Sequence, residues 1–233
     1  TLGGFPKALE YEGEDEKRTY IKSVIHEIFE KDVKHSNKIK NVSVFDAVQT
    51  YLINNFGAPT NLKNLLAYFN DVEKIPIKRE TLNRYIQILV DAKILYRCSR
   101  FDLKSRLIRE EKYYLADSGF YFAMNTDARI NYGPALENVL YLYLASRGYE
   151  LSVGRIGKLE CDFIARRRNA YAYIQVSMSI ADRGVEEREY RPFGHIRDGY
   201  PRYLFTLDPL LQERDGVRHL NMASFMQDGG DLI

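Results

Sequence analysis

Lys158-Leu159-Glu160-Cys161-Asp162-Phe163-Ile164-Ala165 is followed, after Arg166-Arg167-Arg168-Asn169, by Tyr171-Ala172-Tyr173-Ile174-Gln175-Val176-Ser177. Strand side chains alternate in direction with period two. In the first stretch Leu159, Cys161 and Phe163 share one face, and Lys158, Glu160 and Asp162 the other. In the second, Ala172, Ile174 and Val176 make an apolar face, and Tyr173, Gln175 and Ser177 a polar one. Two such runs around a short polar turn read as a hairpin, which brings Asp162 near Gln175.

The neighbouring segments extend this pattern. Upstream, Pro134 sits where a helix begins, Leu136, Val139, Leu140, Tyr143 and Leu144 form its buried stripe, and Gly148 ends it. A strand over Glu150 to Val153 follows. Downstream come a polar helix, roughly Val185 to Asp198, a strand over Tyr203 to Leu207, and a tail from Val217 with room for a short strand and helix. The order over residues 129–233 is α-β-β-β-α-β. Glu137 lies at the edge of its helix's apolar stripe and can reach toward the sheet. Glu137, Asp162 and Gln175 would supply hard oxygen donors of the kind Mg²⁺ takes, and such a metal activates water for phosphodiester cleavage. Each residue also has a structural reading: Asp162 and Glu160 on a solvated strand face, Glu137 at a helix boundary, Lys158 in a turn after Gly157. The arginine run is either a solvated hairpin tip or a phosphate grip beside the site. Cys161 and His195 read as structural.

Residues 41–128 show a different layout. A first helix presents Val44, Phe45, Val48, Tyr51 and Leu52, and ends at Asn55-Phe56-Gly57. A second opens at Pro59-Thr60, with Thr60 as N-cap and Leu62, Leu65, Leu66 and Phe69 as its stripe. A third carries Leu82, Tyr85, Ile86, Leu89 and Val90. Strands over Ile94 to Arg100 and Tyr113 to Leu115 follow, joined by a basic loop. Three helices and a hairpin in this order are the layout of a winged helix-turn-helix. On the outward side of the third helix stand Asn83, Arg84 and Gln87, with Lys78 and Arg79 near its start, residue types suited to base edges and phosphates. Arg100, Lys104, Arg106 and Arg109 around the wing would neutralise phosphates. Glu80 and Asp91 share the outward face and oppose this.

The whole chain has 233 residues and a formal net charge of +2, which alone says little about partners. Its distribution says more. From Lys74 to Lys112 there are 11 basic and 5 acidic residues, whereas beyond Lys112 the only lysine is Lys158, beside 13 arginines. With 45% hydrophobic and 28% charged residues the chain can bury a core. No apolar run approaches the roughly 20 residues of a membrane helix, and no signal peptide opens the chain. Two cysteines without CxxC spacing and four dispersed histidines give no zinc motif. A reducing, cytoplasmic setting is expected. Residues 1–40 hold an amphipathic helix on Tyr20, Ile21, Val24, Ile25, Ile28 and Phe29, and the start at Thr1 suggests a fragment or processed product.

Glu137, then Asp162, then Gln175-Val176-Ser177, on the order α-β-β-β-α-β, resemble the PD-(D/E)xK nuclease superfamily, the restriction-endonuclease-like fold. The resemblance implies metal ligands at Glu137 and Asp162. It puts Gln175 where a strand acid stands and Ser177 where a lysine stands, leaving Lys158 as the available substitute cation. A longer resemblance, over nearly the whole chain, rests on Gly3-Gly4-Phe5-Pro6, Tyr113-Tyr114-Leu115-Ala116-Asp117-Ser118-Gly119-Phe120, Leu136-Glu137-Asn138, Glu160-Cys161-Asp162-Phe163 and Arg188-Glu189-Tyr190. Together these resemble the C-terminal region of prokaryotic AAA-type P-loop ATPases whose distal domain is of unknown function. The implied organisation is a helical segment (1–40) trailing an ATPase module, a winged helix domain (41–128) and a nuclease-like domain (129–233). No GxxxxGK[ST] occurs, so no ATP is expected on this chain. The expected fold is mixed α/β. The expected function is a DNA-binding, non-ATPase portion with a degenerate, inactive nuclease-like domain, partnered by DNA and the ATPase module. Two rivals stand beside it: a Mg²⁺-dependent DNA endonuclease, and a protein-interaction module of the parent ATPase.

Overall fold

The computed structural model describes residues 3–34, 39–101, 110–125, 132–156 and 159–233. It is mixed α/β, and its contacts divide it into two units. The first holds the described residues up to Arg97 together with Glu110 to Asn125. The second holds Cys98 to Phe101 and the described residues from Tyr132 onward.

In the first unit, helix α1 (Glu14–Ile28) buries Ile21 and Ile25. It is followed by α2 (Val42–Asn54), the two-residue strand β1 (Thr60–Asn61), α3 (Leu62–Ala67) and α4 (Arg79–Asp91). Strands β2 (Leu95–Phe101) and β3 (Glu110–Leu115) and helix α5 (Gly119–Met124) complete it, with β2 passing into the second unit after Arg97. Phe45, Val48 and Leu52 of α2 and Leu82, Ile86 and Leu89 of α4 are buried almost completely. Burial of each such side chain favours the fold by about 1.5–3 kcal/mol.

Caps and turns follow local chemistry. Asn41 caps α2 by accepting from Val44 N at 3.2 Å. The cap of α3 is Asn61, accepting from Lys63 N at 2.8 Å, not the expected Thr60. Thr60 is drawn into β1 opposite Glu111, and its hydroxyl donates to Ala58 O instead. Gly57 takes a left-handed φ of 73° at the turn beyond α2, and its N–H donates to Tyr113 O on β3 at 2.8 Å. Arg18 of α1 donates to the carbonyls of Phe122 and Asn125 and lies 4.0 Å from the centre of the Phe122 ring, tying α1 to the end of α5.

Two of the quoted motifs meet in this unit. Both oxygens of Asp117 accept backbone N–H groups, from Gly4 at 2.6 Å and Gly119 at 2.7 Å, while Phe5 packs edge-on against Phe120 at 5.6 Å. A Cβ on Gly3 would stand 1.8 Å from Asp117 Oδ1 at a φ of +65°, so glycine is required there.

The second unit runs α6 (Tyr132–Ser146), β4 (Glu150–Ile156), β5 (Leu159–Arg167), β6 (Ala170–Val176), α7 (Arg183–Tyr190), β7 (Arg202–Thr206), β8 (Val217–Asn221) and α8 (Met222–Gln227). The end of β2 lies parallel to β4, with Arg100 opposite Val153. β4, β5 and β6 are antiparallel in turn, and β6, β7 and β8 run parallel. The β5–β6 hairpin pairs Phe163 with Ile174 through to Arg167 with Ala170.

Alternation holds at the start of β5, where Cys161 and Phe163 are fully buried and Glu160 is exposed, and lapses over Phe163 to Ala165, which are all buried. It fails along β6. Tyr173, Gln175 and Ser177, expected on a polar face, are buried as deeply as their neighbours. Tyr173 packs into a cluster with Ile180, Tyr190, Phe193 and Ile196, which covers that side of the sheet. The helix expected over Val185 to Asp198 is shorter. Asp182 caps α7 through Gly184 N and Val185 N, and the helix stops at Tyr190 because Pro192 has no N–H to continue the ladder.

Candidate functional site

The C-terminal end of β6 and the start of β5 open onto a cleft of about 490 Å³, with Glu137 of α6 on one wall and Arg188, Glu189 and Arg191 on another. The β5–β6 register, continued inward, sets Asp162 opposite Gln175. At that point side chains replace the ladder. Asp162 N donates to Gln175 Oε1 at 2.8 Å, and Val176 N donates to Asp162 Oδ2 at 2.8 Å. Gln175 Nε2 donates in turn to Glu189 Oε2 at 2.9 Å, and the Arg188 guanidinium grips Glu189 Oε1 with two bonds of 3.0 and 2.7 Å. Gln175 and Glu189 are both only 6% exposed, and a buried polar chain of this kind must be fully paired to be tolerated.

The structure therefore gathers Glu137, Asp162 and Gln175 around one cleft. Lys158 lies outside the described residues. Glu189 was not among the candidates. No local pattern marks it as inward: in the polar run Val185 to Tyr190 it reads as a surface acid.

Mg²⁺, the metal the nuclease resemblance implies, does not fit these side chains as arranged. The Gln175 oxygen accepts from Asp162 N, and one Asp162 oxygen accepts from Val176 N. Among the described residues no three His, Cys, Asp or Glu side chains gather closely enough to hold a metal ion. Cys161, directly behind Asp162, points its thiol toward the carbonyls of Ile174 and Phe163, and burial pushes that thiol well above its usual range. It is inert as a nucleophile. The Arg166–Arg168 tip lies four residues or more along β5 from Asp162, at least about 13 Å by strand rise, and so is not beside the cleft. Arg166 and Arg167 pair instead with Glu150 and Asp231.

The first unit carries the second set of candidates. Asn83, Arg84 and Gln87 are exposed on α4, with Lys78 and Arg79 exposed at its start, while Leu82, Tyr85, Ile86 and Leu89 face inward. Gln87 Nε2 donates to Asp91 Oδ1 at 2.7 Å, which occupies one of the opposing acids. Arg100 is half-buried and belongs to the second unit. Lys104, Arg106 and Arg109 lie outside the described residues.

With this geometry in place, comparison with known proteins assigns the family. A family model described as a domain of unknown function, DUF8612, matches residues 1–132. The chain belongs to the DUF8612 family. The matched DUF8612 segment takes in α4 and its exposed cations but stops short of Glu137 and the cleft. An uncharacterized protein of Haemophilus influenzae is 28% identical over 230 residues, covering 96% of this chain and 56% of its own length. An uncharacterized protein of Methanocaldococcus jannaschii is 30% identical over 151 residues, covering 64% of this chain and 33% of its own length. The chain thus spans about half the length of the first relative and a third of the second. No solved structure matches it. Among the described residues no helix is long and apolar enough to cross a membrane.

Proposed function

We propose that this chain is the DNA-binding, non-ATPase portion of a prokaryotic AAA-type ATPase, and that its second unit is a nuclease-like domain that no longer cuts. The observation that carries the binding half is α4. It buries one stripe in a three-helix and hairpin layout, α2-β1-α3-α4-β2-β3, and turns Lys78, Arg79, Asn83, Arg84 and Gln87 outward. In a winged helix that face enters the major groove, where Arg and Gln read base edges and Lys neutralises phosphate.

The order α6-β4-β5-β6-α7-β7, with Glu137, Asp162 and Gln175 on one cleft, supports the nuclease-like half. The use of the Gln175 amide and of one Asp162 oxygen within the fold supports loss of cleavage. The ATPase affiliation rests on the ordered motifs, and the greater length of the relatives is consistent with a further module in them.

The test is fluorescence anisotropy with duplex DNA at two salt concentrations. Binding that weakens as salt rises is expected, with the logarithmic slope reduced by about one on Lys78→Ala and duplex affinity lowered on Arg84→Ala. Absence of binding at low salt removes the proposal.

A further inference from the structure

At the opposite end of the second unit's sheet, where β7 and β8 begin, lies a pocket of about 550 Å³. Its charged lining is Arg202, Arg218 and Asp198, and its aromatic lining is Tyr200 and Tyr203. Arg202 is level with Val217 and Arg218 with Tyr203, so the two side chains leave opposite faces of the sheet, and both border the pocket at its end. The carboxylate between them is already engaged: Asp198 Oδ2 accepts from Tyr173 OH at 2.6 Å and Oδ1 from Tyr200 N at 3.1 Å. Arg202 is fixed by donating to Ile196 O at 3.3 Å and Asp198 O at 3.1 Å. Arg218 is exposed.

Tyr200 is 38% exposed and packs against Tyr171 in a T-shaped contact, with ring centres 5.2 Å apart. Gly199 and Gly216 flank the pocket, and around either one no atom lies within 4 Å of where a Cβ would stand, so a ligand backbone can approach closely.

Guanidinia beside an exposed aromatic side chain match a phosphodiester with an unpaired base. Duplex DNA offers no base face to stack on. We infer that this pocket binds an unpaired nucleic-acid strand, with phosphate on Arg202 and Arg218 and one base against Tyr200. This contact is separate from the α4 face and does not require that face to bind duplex.

The experiment measures anisotropy of a short fluorescent oligothymidylate with the full chain and its variants. Salt-sensitive binding is expected, weakened about tenfold by Arg218→Glu and about tenfold by Tyr200→Ala. Tyr200→Phe, which keeps the ring, is expected to bind within about twofold of wild type. Arg84→Ala on α4 is expected to lower duplex affinity and leave the oligothymidylate unaffected, so the two readings fail separately. Absent binding, or binding indifferent to both Arg218→Glu and Tyr200→Ala, overturns the inference. So does competition by free thymidine monophosphate at the same concentration as the strand, which would mark a mononucleotide site.

Discussion

The two ends of the second unit's sheet draw on different strands, β5 and β6 at the cleft and β7 and β8 at the far end, and carry opposite chemistry. At the cleft, four carboxylates (Glu137, Glu160, Asp162 and Glu189) face two guanidinia, Arg188 and Arg191. At the far end, two guanidinia face the single carboxylate of Asp198, beside an exposed aromatic ring. The end whose residues resemble a nuclease ties key polar atoms into the fold: the Gln175 amide at both its oxygen and its nitrogen, and one oxygen of Asp162. The end that no motif marks presents Arg218 and part of Tyr200 to solvent. A polyanion is repelled by the first arrangement and attracted by the second.

The sharpest way to break this comparison is to cut the cleft's polar chain. Glu189→Ala leaves Gln175 Nε2 buried without its acceptor, and is expected to destabilise the fold by about 1–3 kcal/mol in urea titration. Arg218→Glu at the exposed end is expected to stay within about 0.5 kcal/mol of wild type. Equal effects at both ends would show that the cleft is not the buried network described. A second break would be catalytic. Incubation with Mg²⁺ or Mn²⁺ is expected to leave supercoiled DNA intact, and nicking that disappears in Asp162→Ala would restore the endonuclease reading.

The two ends are also expected to fail at opposite pH extremes. Near the cleft end, His219 is buried, with Nε2 2.7 Å from Thr206 Oγ1 and Nδ1 accepting from Gln212 N. Burial pulls its pKa below 6.5. The unfolded chain therefore takes up this proton first, so the stabilisation is complete above pH 6.5 and is lost as pH falls through the folded value. At the far end, burial and then the bond to Asp198 raise the Tyr173 phenol above 10. Its contribution is complete below pH 10 and is lost as pH rises through the folded value. Urea midpoints across pH for His219→Gln and Tyr173→Phe check this, with the first expected to flatten the acid limb and the second the alkaline limb.

Much of the second unit was legible because its signals are local. Period-two alternation located β5, and the glycine and arginine punctuation located its turns. Pro134 and Gly148 located α6, but its buried residues are Asn138, Leu140, Tyr141 and Leu144, and Val139 of the expected stripe is exposed. What was not legible depends on contacts distant in sequence. Gln175 and Ser177 look like wet-face residues until a separate segment, Ile180 to Ile196, folds over them. Glu189 looks like a surface acid in a polar helix until it meets Gln175, 14 residues away. The pocket at Arg202 and Arg218 leaves no spacing signal at all, since strand pairing across a long connection creates it.

The smallest expected effect is also the most direct comparison, because it makes one change at both ends. Arg188 is 67% exposed, although its partner Glu189 is buried. Glu189 keeps its bond from Gln175 when Arg188 is removed. Arg188→Ala is expected to change oligothymidylate affinity by less than about twofold. Arg218→Ala, the same loss of one guanidinium, is expected to weaken that affinity severalfold and to flatten its salt dependence. Parallel anisotropy titrations of the two variants decide it. A larger loss at Arg188 than at Arg218 would move the nucleic acid into the cleft and reverse the assignment of the two ends.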